Sequence, residues 1–351
     1  MTSFWNQDNL IGLAPMDGVT DAAYRYIVDI YGKPDLLMTE FVPVDALNRG
    51  AFQAMRGFAL HTTRTPTVAQ IFGTDLDAFY KATLVIAELG FDGVDINMGC
   101  PDRSVAKKGA GAGLIRTPDL AKSIIRTVQT AVKDWSEGKT MQEGTVHERI
   151  IEEVSIYQKR YKIISSRKMI PVSVKTRIGY DRVQTDEWIK HVLETQPDNL
   201  TVHGRTLAQM YTGKADWEEI AKAVQLAKQY HISVMGSGDV QSVSEAKDKM
   251  SEFGVNGVII GRASFGNPWI FTEHIPTPQE RIEVAKEHAR IFTELLPESH
   301  YLSMRKHLSW YCRGFHNATS YRERLMQVTN YDEVVAILDP LLDDLIAGKI
   351  A

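Results

Sequence analysis

A cysteine at the end of a predicted strand is the first sign of chemistry in this chain. Residues 92–101 read DGVDINMGCP, and the alternation of β-branched with polar residues in this stretch predicts a β-strand. Gly99 and Pro101 end regular structure, which leaves Cys100 on a loop just beyond that strand. Because the whole chain contains only two cysteines, a thiol in this setting is a candidate for catalysis. The alternative is that Cys100 merely fills a small apolar space.

Seven more short apolar segments recur along the chain, separated by segments with helical patterns. The eight predicted strands are residues 10–14, 35–39, 67–72, 93–97, 172–175, 199–203, 233–236 and 257–260. Most follow one another at about 30 residues, the size of a β-α repeat. Eight repeats over about 260 residues predict an α/β fold, a (β/α)8 TIM barrel. The alternative, a doubly wound sheet, needs G-x-G-x-x-G after its first strand, where this chain has APMDG.

Side chains capable of chemistry follow most of the predicted strands. They are Met16, Asp17, Glu40, Gln70, Asn97, Lys175, Arg177, His203, Arg205, Ser237, Asp239 and Arg262. In a barrel the carboxyl ends of all strands meet at one mouth, where active sites form. The sequence therefore predicts that these residues surround one site.

The last two predicted strands carry the pattern of a phosphate-binding site. Ser237, Gly238 and Asp239 follow the seventh strand, and Gly261 and Arg262 follow the eighth. Glycine lets backbone N–H groups approach an anion, and arginine offers a fork of donors. The head of such a ligand would lie over the barrel centre, lined by Gln70, Lys175 and His203. Flavin mononucleotide (FMN) fits this layout, and so does a phosphosugar with Lys175 as a Schiff-base lysine.

Composition restricts the class of protein. The 351 residues are 44% hydrophobic and 24% charged, as in soluble globular proteins. The sequence contains no run of about 18 apolar residues, no secretory signal and no metal-ligand spacing, so neither a membrane nor a metal partner is expected. Two cysteines suit a reducing cytoplasm. With a formal net charge of -4, nucleic-acid binding would need a local basic surface.

Two segments depart from the repeat within the barrel. The glycine-rich residues 107–113 follow Cys100 and predict a loop that swings over the mouth. A helix is predicted over residues 118–132. Residues 135–168 are an insertion with helical spacing of apolar residues, which we expect on the outside of the barrel.

After residue 275 the pattern becomes helical only, which predicts a second domain over residues 279–351. Its central stretch mixes basic with aromatic residues. They are Arg305, Lys306, Arg313, Arg322 and Arg324 together with His307, Trp310, Tyr311, His316 and Tyr321. Such a mixture suits contacts to an RNA backbone with base stacking, and the alternative is an ordinary solvated helix surface with buried aromatics.

Taken in order, these motifs resemble those of the bacterial tRNA-dihydrouridine synthases. The motifs are APM at 14–16, NMGCP at 97–101, KKGAG at 107–111, VSVKTR at 172–177, HGRT at 203–206 leading through Gln209 and Tyr211 to ADW at 215–217, GD at 238–239 and GR at 261–262. The RKHL run at 305–308 followed by Trp310 and Tyr311 resembles the family's RNA-facing helical domain. Together the motifs cover most of residues 10–275.

The resemblance implies a fold and an activity. Residues 1–275 would be the FMN-binding TIM barrel, and 279–351 the tRNA-binding helical domain. The enzyme would reduce the C5=C6 bond of specific uridines in tRNA, with a hydride from reduced FMN to C6 and NADPH as the source of electrons. By the same resemblance Cys100 is the general acid at C5, a role that suits a thiol that is neutral at pH 7.

The resemblance also assigns the binding residues. The flavin would be held by Pro15, Met16, Asp17, Gln70, Lys175, His203, Ser237, Gly238, Asp239, Gly261 and Arg262. The flipped-out uracil and its tRNA would be held by Asn97, Arg177, Tyr211, Arg305 and Lys306. We expect a cytoplasmic monomer.

The chain departs from the family pattern at two places. Position 237 is Ser where the pattern usually has Asn, a change that backbone phosphate binding should tolerate. The 135–168 insertion is longer than expected, which leaves the RNA docking geometry open. Two other functions remain as alternatives: an FMN-dependent reductase of a free pyrimidine, like dihydroorotate dehydrogenase, and a non-enzymatic RNA-binding protein.

Overall fold

A closed barrel of eight parallel strands forms the centre of the computed structural model. The structure describes residues 4–59, 64–297 and 299–349. The strands are β1 Leu10–Leu13, β2 Leu36–Pro43, β3 Thr67–Phe72, β4 Gly93–Met98, β5 Val172–Arg177, β6 Asn199–His203, β7 Ser233–Ser237 and β8 Gly257–Ile260. They are hydrogen-bonded in sequence order, and β8 closes on β1. The predicted fold class and all eight predicted strands are therefore confirmed.

Helices alternate with the strands and continue beyond the barrel. They are α1 Ala22–Tyr31, α2 Val44–Asn48, α3 Leu76–Glu88, α4 Arg103–Lys107, α5 Pro118–Ser136, α6 Glu148–Tyr161, α7 Thr185–Leu193, α8 Trp217–Lys228, α9 Val243–Phe253, α10 Pro278–Leu295, α11 Leu302–Tyr311, α12 Ala318–Leu325 and α13 Tyr331–Ile346. Short 3-10 helices lie at Phe4–Asn6, Phe52–Phe58, Gly111–Arg116, Arg262–Ser264 and Pro268–Phe271.

Two strands run at least two residues further than the sequence predicted. β5 continues to Arg177, so that Lys175 lies within the strand and pairs with Asn97 of β4, while Arg177 pairs with His203 of β6. β2 continues to Pro43 across a register shift. Pairing with two neighbours keeps these residues extended where a local pattern indicated the strand end.

The interior of the barrel is apolar on one side and polar on the other. A buried cluster formed largely by residues of β7, β8, β1 and β2 fills the apolar side. Its members are Trp5, Leu10, Ala14, Leu36, Met38, Val68, Met235 and Ile259. Because strand side chains alternate between faces, the same faces of β3 to β6 present buried polar groups. These are Gln70, Asp95, Asn97, Ser173, Asn199 and Thr201.

At the lower end of the barrel, four pairs of residues are each joined by two hydrogen bonds, and we call such a pair a bracket. Asp92 donates its backbone N–H to the carbonyl of Thr67 (3.0 Å), and its carboxylate accepts the N–H of the same Thr67 (2.9 Å). The equivalent pairs are Asp35 with Ile11, Asp198 with Val172, and Asn256 with Val234. In each pair, a residue just before an even-numbered strand bonds the backbone N–H and carbonyl of a residue near the start of the preceding odd-numbered strand.

The segment between β4 and β5 carries a helix on the outer surface. α5 extends to Ser136, which places Trp135 in that helix, and α6 packs against α3 and the 3-10 helix Phe52–Phe58. Ile150, Val154 and Tyr157 are its buried residues.

The four helices after the barrel pack on it through α10, which contacts α1, α11 and α13. α10 begins at a capping box, in which Thr277 and Glu280 satisfy each other's backbone N–H groups. Apolar side chains of these helices face inward: Ile282 and Phe292 of α10 and Leu338 of α13 are buried.

Two residues of the expected RNA-facing surface lie instead inside the interface with the barrel. His307 and Tyr311 are fully buried, and the His307 ring lies beside Tyr24 of α1 and His288 of α10. Burial lowers the pKa of His288 to about 3, so that this ring is neutral at ordinary pH. Trp310 stacks on Phe265 with ring centroids 4.1 Å apart. The sequence did not separate these buried rings from the basic residues of α11, Arg305 and Lys306, because all of them fall within three turns of one helix.

Within the described residues, the structure contains no helix long and apolar enough to cross a membrane. The same residues include no group of three or more His, Cys, Asp or Glu side chains able to hold a metal ion.

We expect Asp92→Ala to destabilise the barrel without affecting its mouth. The change leaves the N–H of buried Thr67 without its acceptor, which costs about 1–3 kcal/mol in the free energy of unfolding. Asp92→Asn keeps an oxygen acceptor and should cost less than about 1 kcal/mol. Urea denaturation measures both, with Asp77→Ala on the surface of α3 as the control. Equal stability of Asp92→Ala and wild type would contradict the role of the bracket.

Candidate active site

A cavity of about 580 Å³ opens at the carboxyl end of the barrel, within the usual size of a small-molecule site. It brings together nearly all the residues predicted from sequence. Its lining includes Pro15, Met16, Asp17, Asn97, Cys100, Lys175, Arg177, His203, Tyr211, Ser237, Gly238, Asp239, Gly261 and Arg262. Glu40, Gln70, Arg205, Arg305 and Lys306 are the predicted site residues that do not line it.

One side of the cavity is built from backbone that only small residues permit. Gly238 has a φ of +134°, and a Cβ there would lie 2.5 Å from the Cβ of Ala215. A Cβ at Gly261 would lie 3.4 Å from the sulfur of Met16. Side chains are thus absent where the β7 and β8 loops face the cavity, which suits close approach of a ligand to the backbone.

Asp239 holds two arginine side chains beside this backbone. Its carboxylate accepts from the guanidinium of buried Arg205 (2.6 Å), from Arg262 (3.0 Å) and from the N–H of Ala215 (2.8 Å). Burial opposes ionisation, but the hydrogen bonds from Arg205 and Ala215 outweigh it and lower the pKa of Asp239. Asp239 therefore holds Arg262 at the rim as a fixed positive charge, and its own carboxylate is occupied by protein donors.

His203 presents a free nitrogen to the cavity. Its Nδ1 lies 3.4 Å from the hydroxyl of Ser237, while its buried Nε2 has no partner among the described residues. Burial, together with the positive charges of Lys175 and Arg177, lowers the pKa of His203 well below its usual value. The ring is therefore neutral and can exchange one hydrogen bond with a ligand.

Lys175 lies in β5, pairs with Asn97 of β4 and lines the cavity. Burial and the neighbouring Arg177 lower its pKa to about 8, while the carboxylate of Asp95 opposes this shift. A lysine in this range is still mostly protonated at pH 7, and a negatively charged ligand would raise its pKa again.

The loop that carries Cys100 is held by Asn97. The side-chain oxygen of Asn97 accepts the backbone N–H groups of Gly99 (3.0 Å) and Cys100 (2.8 Å). Its side-chain NH2 donates to the oxygen of Gln70 at 2.8 Å. Gln70 is fully buried beneath the cavity. The structure thus shows Asn97 and Gln70, both predicted as ligand-binding residues, engaged with the protein itself.

Arg177 also supports this loop. Its Nε donates to the carbonyl of Gly99 (2.8 Å), and its Nη1 donates to the carbonyl of Thr206 (3.0 Å). The guanidinium therefore ties the loop after β4 to the loop after β6 while it lines the cavity.

Cys100 lies at the cavity wall with 7% of its surface exposed. Burial raises the pKa of its thiol above the usual 9.0, and the nearby carboxylates of Asp102 and Asp17 act in the same direction. The thiol is accordingly protonated at neutral pH, the form that an acid catalyst requires.

The glycine-rich segment after Cys100 is packed rather than open. It forms α4 and the 3-10 helix Gly111–Arg116, and residues 110–115 are buried. Gly111 has a φ of +57°, and a Cβ there would lie 3.1 Å from the Cβ of Cys100. Of the predicted loop over residues 107–113, Lys107 and Lys108 are exposed, whereas residues 110–113 are buried.

The remaining predicted substrate residues lie at the rim or beyond it. Tyr211 is 61% exposed, and the guanidinium of Arg262 lies 5.7 Å from its ring centroid. Lys306 of α11 reaches the edge of the mouth, where its Nζ lies 2.8 Å from the position of a Cβ on Gly18. Arg305 points elsewhere: it donates to the carbonyls of Val328 (2.8 Å) and Gln327 (3.1 Å) after α12.

Sequence reasoning gave no role to two buried carboxylates near the mouth. Asp95 lies in the same strand as Asn97, and their spacing of two residues already placed both on the inner face. Burial and the neighbouring carboxylates of Asp21 and Asp17 raise the pKa of Glu40. The strand-end position of Glu40 marked it as a mouth residue, but its carboxylate neighbours come from the segment between β1 and α1 and could not be read from sequence.

Together, the barrel, the backbone cradle with its arginine, and the thiol at the wall define an α/β-barrel enzyme site for a ligand with an anionic group. The model of the dihydrouridine synthase (Dus) family matches residues 12–142 and 141–346. The chain belongs to this family.

Curated relatives agree with the family match. The chain is 31% identical over 341 residues to the probable tRNA-dihydrouridine synthase 1 of Synechocystis sp., covering 93% of this chain and 84% of that protein. It is 31% identical over 338 residues to the probable tRNA-dihydrouridine synthase 2 of Bacillus subtilis, covering 93% and 92%. Among solved structures it is similar to DHODH from Eimeria tenella, at 14% identity and a TM-score of 0.49, over 81% of each chain.

The two cysteines are expected to differ in reactivity, and the difference reports the site. Cys100 borders the cavity and should be alkylated by iodoacetamide, whereas Cys312 is fully buried, with burial raising its pKa to about 12. Because only the thiolate reacts and the pKa of Cys100 is raised, its rate should rise with pH through pH 9. Peptide mass spectrometry measures both sites. Cys312 reacting as fast as Cys100 would contradict the structure.

Proposed function

We propose that this protein is a cytoplasmic, monomeric enzyme that reduces the C5=C6 bond of uridines in tRNA to 5,6-dihydrouridine, with bound FMN and with NADPH as reductant. Family membership and relatives named tRNA-dihydrouridine synthases support the substrate. The single observation that carries the chemistry is a protonated thiol, Cys100, at the wall of a cavity with an anion cradle.

The residues at the mouth fit FMN. Gly238, Gly261 and Arg262 offer backbone space and a cation for the phosphate. The unpartnered Nε2 of His203 and the ammonium of Lys175 face the part of the cavity over the barrel axis, where the isoalloxazine ring would lie. When bound and reduced, FMN would supply the hydride that C6 of uracil receives.

The chain's own part in the reaction is to supply a proton and hold the partners in place. Cys100 Sγ would donate its proton to C5 as the C5=C6 bond is reduced, and the resulting thiolate would regain a proton from solvent. Lys175 would stabilise negative charge on the cofactor. Asn97 and Arg177, which hold the Cys100 loop, fix the position of the thiol.

A uracil base must leave the RNA stack to reach this cavity. Residues 279–351 are our proposed tRNA-binding domain. Exposed basic side chains on it include Arg313 and Arg324, and Lys306 lies at the seam with the mouth. Cation–π packing of Arg324 on Tyr321, at 5.6 Å, keeps one such pair together on the surface.

The direct test is conversion of uridine in tRNA. We expect the purified protein with NADPH and tRNA lacking dihydrouridine to add two hydrogens to uridine at a defined position, detected by mass spectrometry of digested RNA. Cys100→Ala should lower the rate at least about 100-fold, since it removes the acid, while Cys312→Ala in the core should leave it unchanged. Reduction of free uracil but not of tRNA would favour the free-pyrimidine alternative. No reduction of either would contradict an enzymatic function.

Gly238→Ala tests the cradle separately from the thiol. The added Cβ would clash with Ala215 and adopt an unfavourable φ, at a cost of about 1–3 kcal/mol. FMN affinity, measured by fluorescence quenching, should fall about tenfold or more. Gly138→Ala is the matched control, because Gly138 has a φ of +114° with nothing within 4 Å of an added Cβ. Equal FMN affinity of both variants and wild type would place the cofactor elsewhere.

A further inference from the structure

A continuous chain of hydrogen bonds runs from the Cys100 loop into the barrel interior. The backbone groups of the loop determine which side-chain atom donates and which accepts in each bond. The N–H groups of Gly99 and Cys100 can only donate, so the Asn97 side chain must turn its oxygen toward them. Its NH2 then faces Gln70, which must accept with its own oxygen. The NH2 of Gln70 is consequently directed away from Asn97 and requires an acceptor.

That acceptor is Asp95. The NH2 of Gln70 donates to one carboxylate oxygen of Asp95 at 2.7 Å, and the other oxygen accepts the hydroxyl of Ser173 at 2.6 Å. Asp95 and Ser173 are fully buried, and the two residues pair directly across β4 and β5. The orientation of Asn97 thus sets that of Gln70, and the chain of hydrogen bonds ends at the Asp95 carboxylate, which accepts from both neighbours.

We propose that Asp95 is a positioning residue for the Cys100 thiol, acting through Gln70 and Asn97. An ionised carboxylate cannot donate, so it forces the Gln70 amide into one orientation, which in turn holds Asn97 and the loop. Asp95 lies two residues before Asn97 in the same strand. Its hydrogen-bonded connection to Cys100 runs through Gln70 and Asn97, and we call this chain of hydrogen bonds the relay. The inference rests on the proposed function for the role of the thiol, but the relay itself is independent of it.

A second role for Asp95 is to balance the charge of Lys175, and the two roles can be separated by substitution. Asp95→Asn removes the charge but keeps the relay, because its oxygen can accept from Gln70 while its NH2 donates to the hydroxyl of Ser173. Asp95→Leu has a similar volume and removes both the charge and the acceptor. If Asp95 acts as a positioning residue, Asp95→Asn should keep the Cys100 thiol in place and Asp95→Leu should not.

The first measurement needs neither RNA nor turnover. With FMN bound, we expect Asp95→Leu to raise the alkylation rate of Cys100 by iodoacetamide about tenfold, since the loosened loop exposes the thiol. Asp95→Asn should stay within about threefold of wild type. Asp198→Leu, which breaks a bracket at the lower end of the barrel, is the control for general destabilisation and should leave the rate unchanged.

A double-variant cycle shows whether Asp95 acts through Asn97. Asn97→Ala alone releases the loop and should raise the alkylation rate at least as much as Asp95→Leu. Adding Asp95→Leu to Asn97→Ala should then change nothing further, because the relay is already broken. Should Asp95→Leu fail to fold, Gln70→Met breaks the same line and replaces it in the cycle.

Turnover adds a second readout. Asp95→Asn and Asp95→Leu both lack the carboxylate charge, so we compare them with each other. Reoxidation of the reduced enzyme by tRNA, the step that uses Cys100, should be about tenfold slower in Asp95→Leu than in Asp95→Asn. The proposal would be overturned if the effects of Asp95→Leu and Asn97→Ala on the alkylation rate multiplied in the double variant. It would also be overturned if Asp95→Asn were as impaired as Asp95→Leu. If wild type forms no dihydrouridine but the alkylation pattern holds, the proposed function fails and the positioning role stands.

Discussion

Two backbone N–H groups, those of Gly99 and Cys100, converge on one oxygen of Asn97, and the arrangement of the mouth depends on this contact. A backbone N–H has no alternative role, so the contact sets the orientation of every amide linked to it. The Cys100 loop is thereby tied to β4, a strand bonded on both sides. A thiol positioned from a strand is held more closely than one on a free loop.

Asp and Asn side chains have different roles at the two ends of the barrel. At the lower end, Asp35, Asp92, Asp198 and Asn256 each close a bracket with the preceding odd-numbered strand. At the upper end, Asp and Asn side chains bond to one another and to loops that face the cavity. Since parallel strands present their unpaired N–H groups at one end and carbonyls at the other, the acceptor side chains at the bottom serve stability and leave the mouth free for chemistry.

Strand periodicity and strand-end position predicted the barrel and the composition of the cavity wall, because both depend on local sequence. Partners across the structure could not be predicted in the same way. Asp95 was visible as an inward residue of β4, but its bonds come from β3 and β5. Arg305 looked free for RNA, whereas it donates to two backbone carbonyls in the loop between α12 and α13. His307 and Tyr311 share their helix with exposed residues, and only the packing of α11 on α1 and α10 reveals their burial.

The buried seam between the barrel and the final helices connects to the cradle. The hydroxyl of Tyr24 donates to the carbonyl of Ser264 at 2.6 Å, and the Ser264 hydroxyl donates to the carbonyl of Gly261 at 2.8 Å. The ring of Tyr24 packs on His307 of α11. The helices that we propose contact tRNA are therefore joined to the backbone that we propose contacts the cofactor phosphate by one continuous set of buried contacts. Because such packed contacts deform little, the distance from the surface of these helices to the cavity is set by the fold.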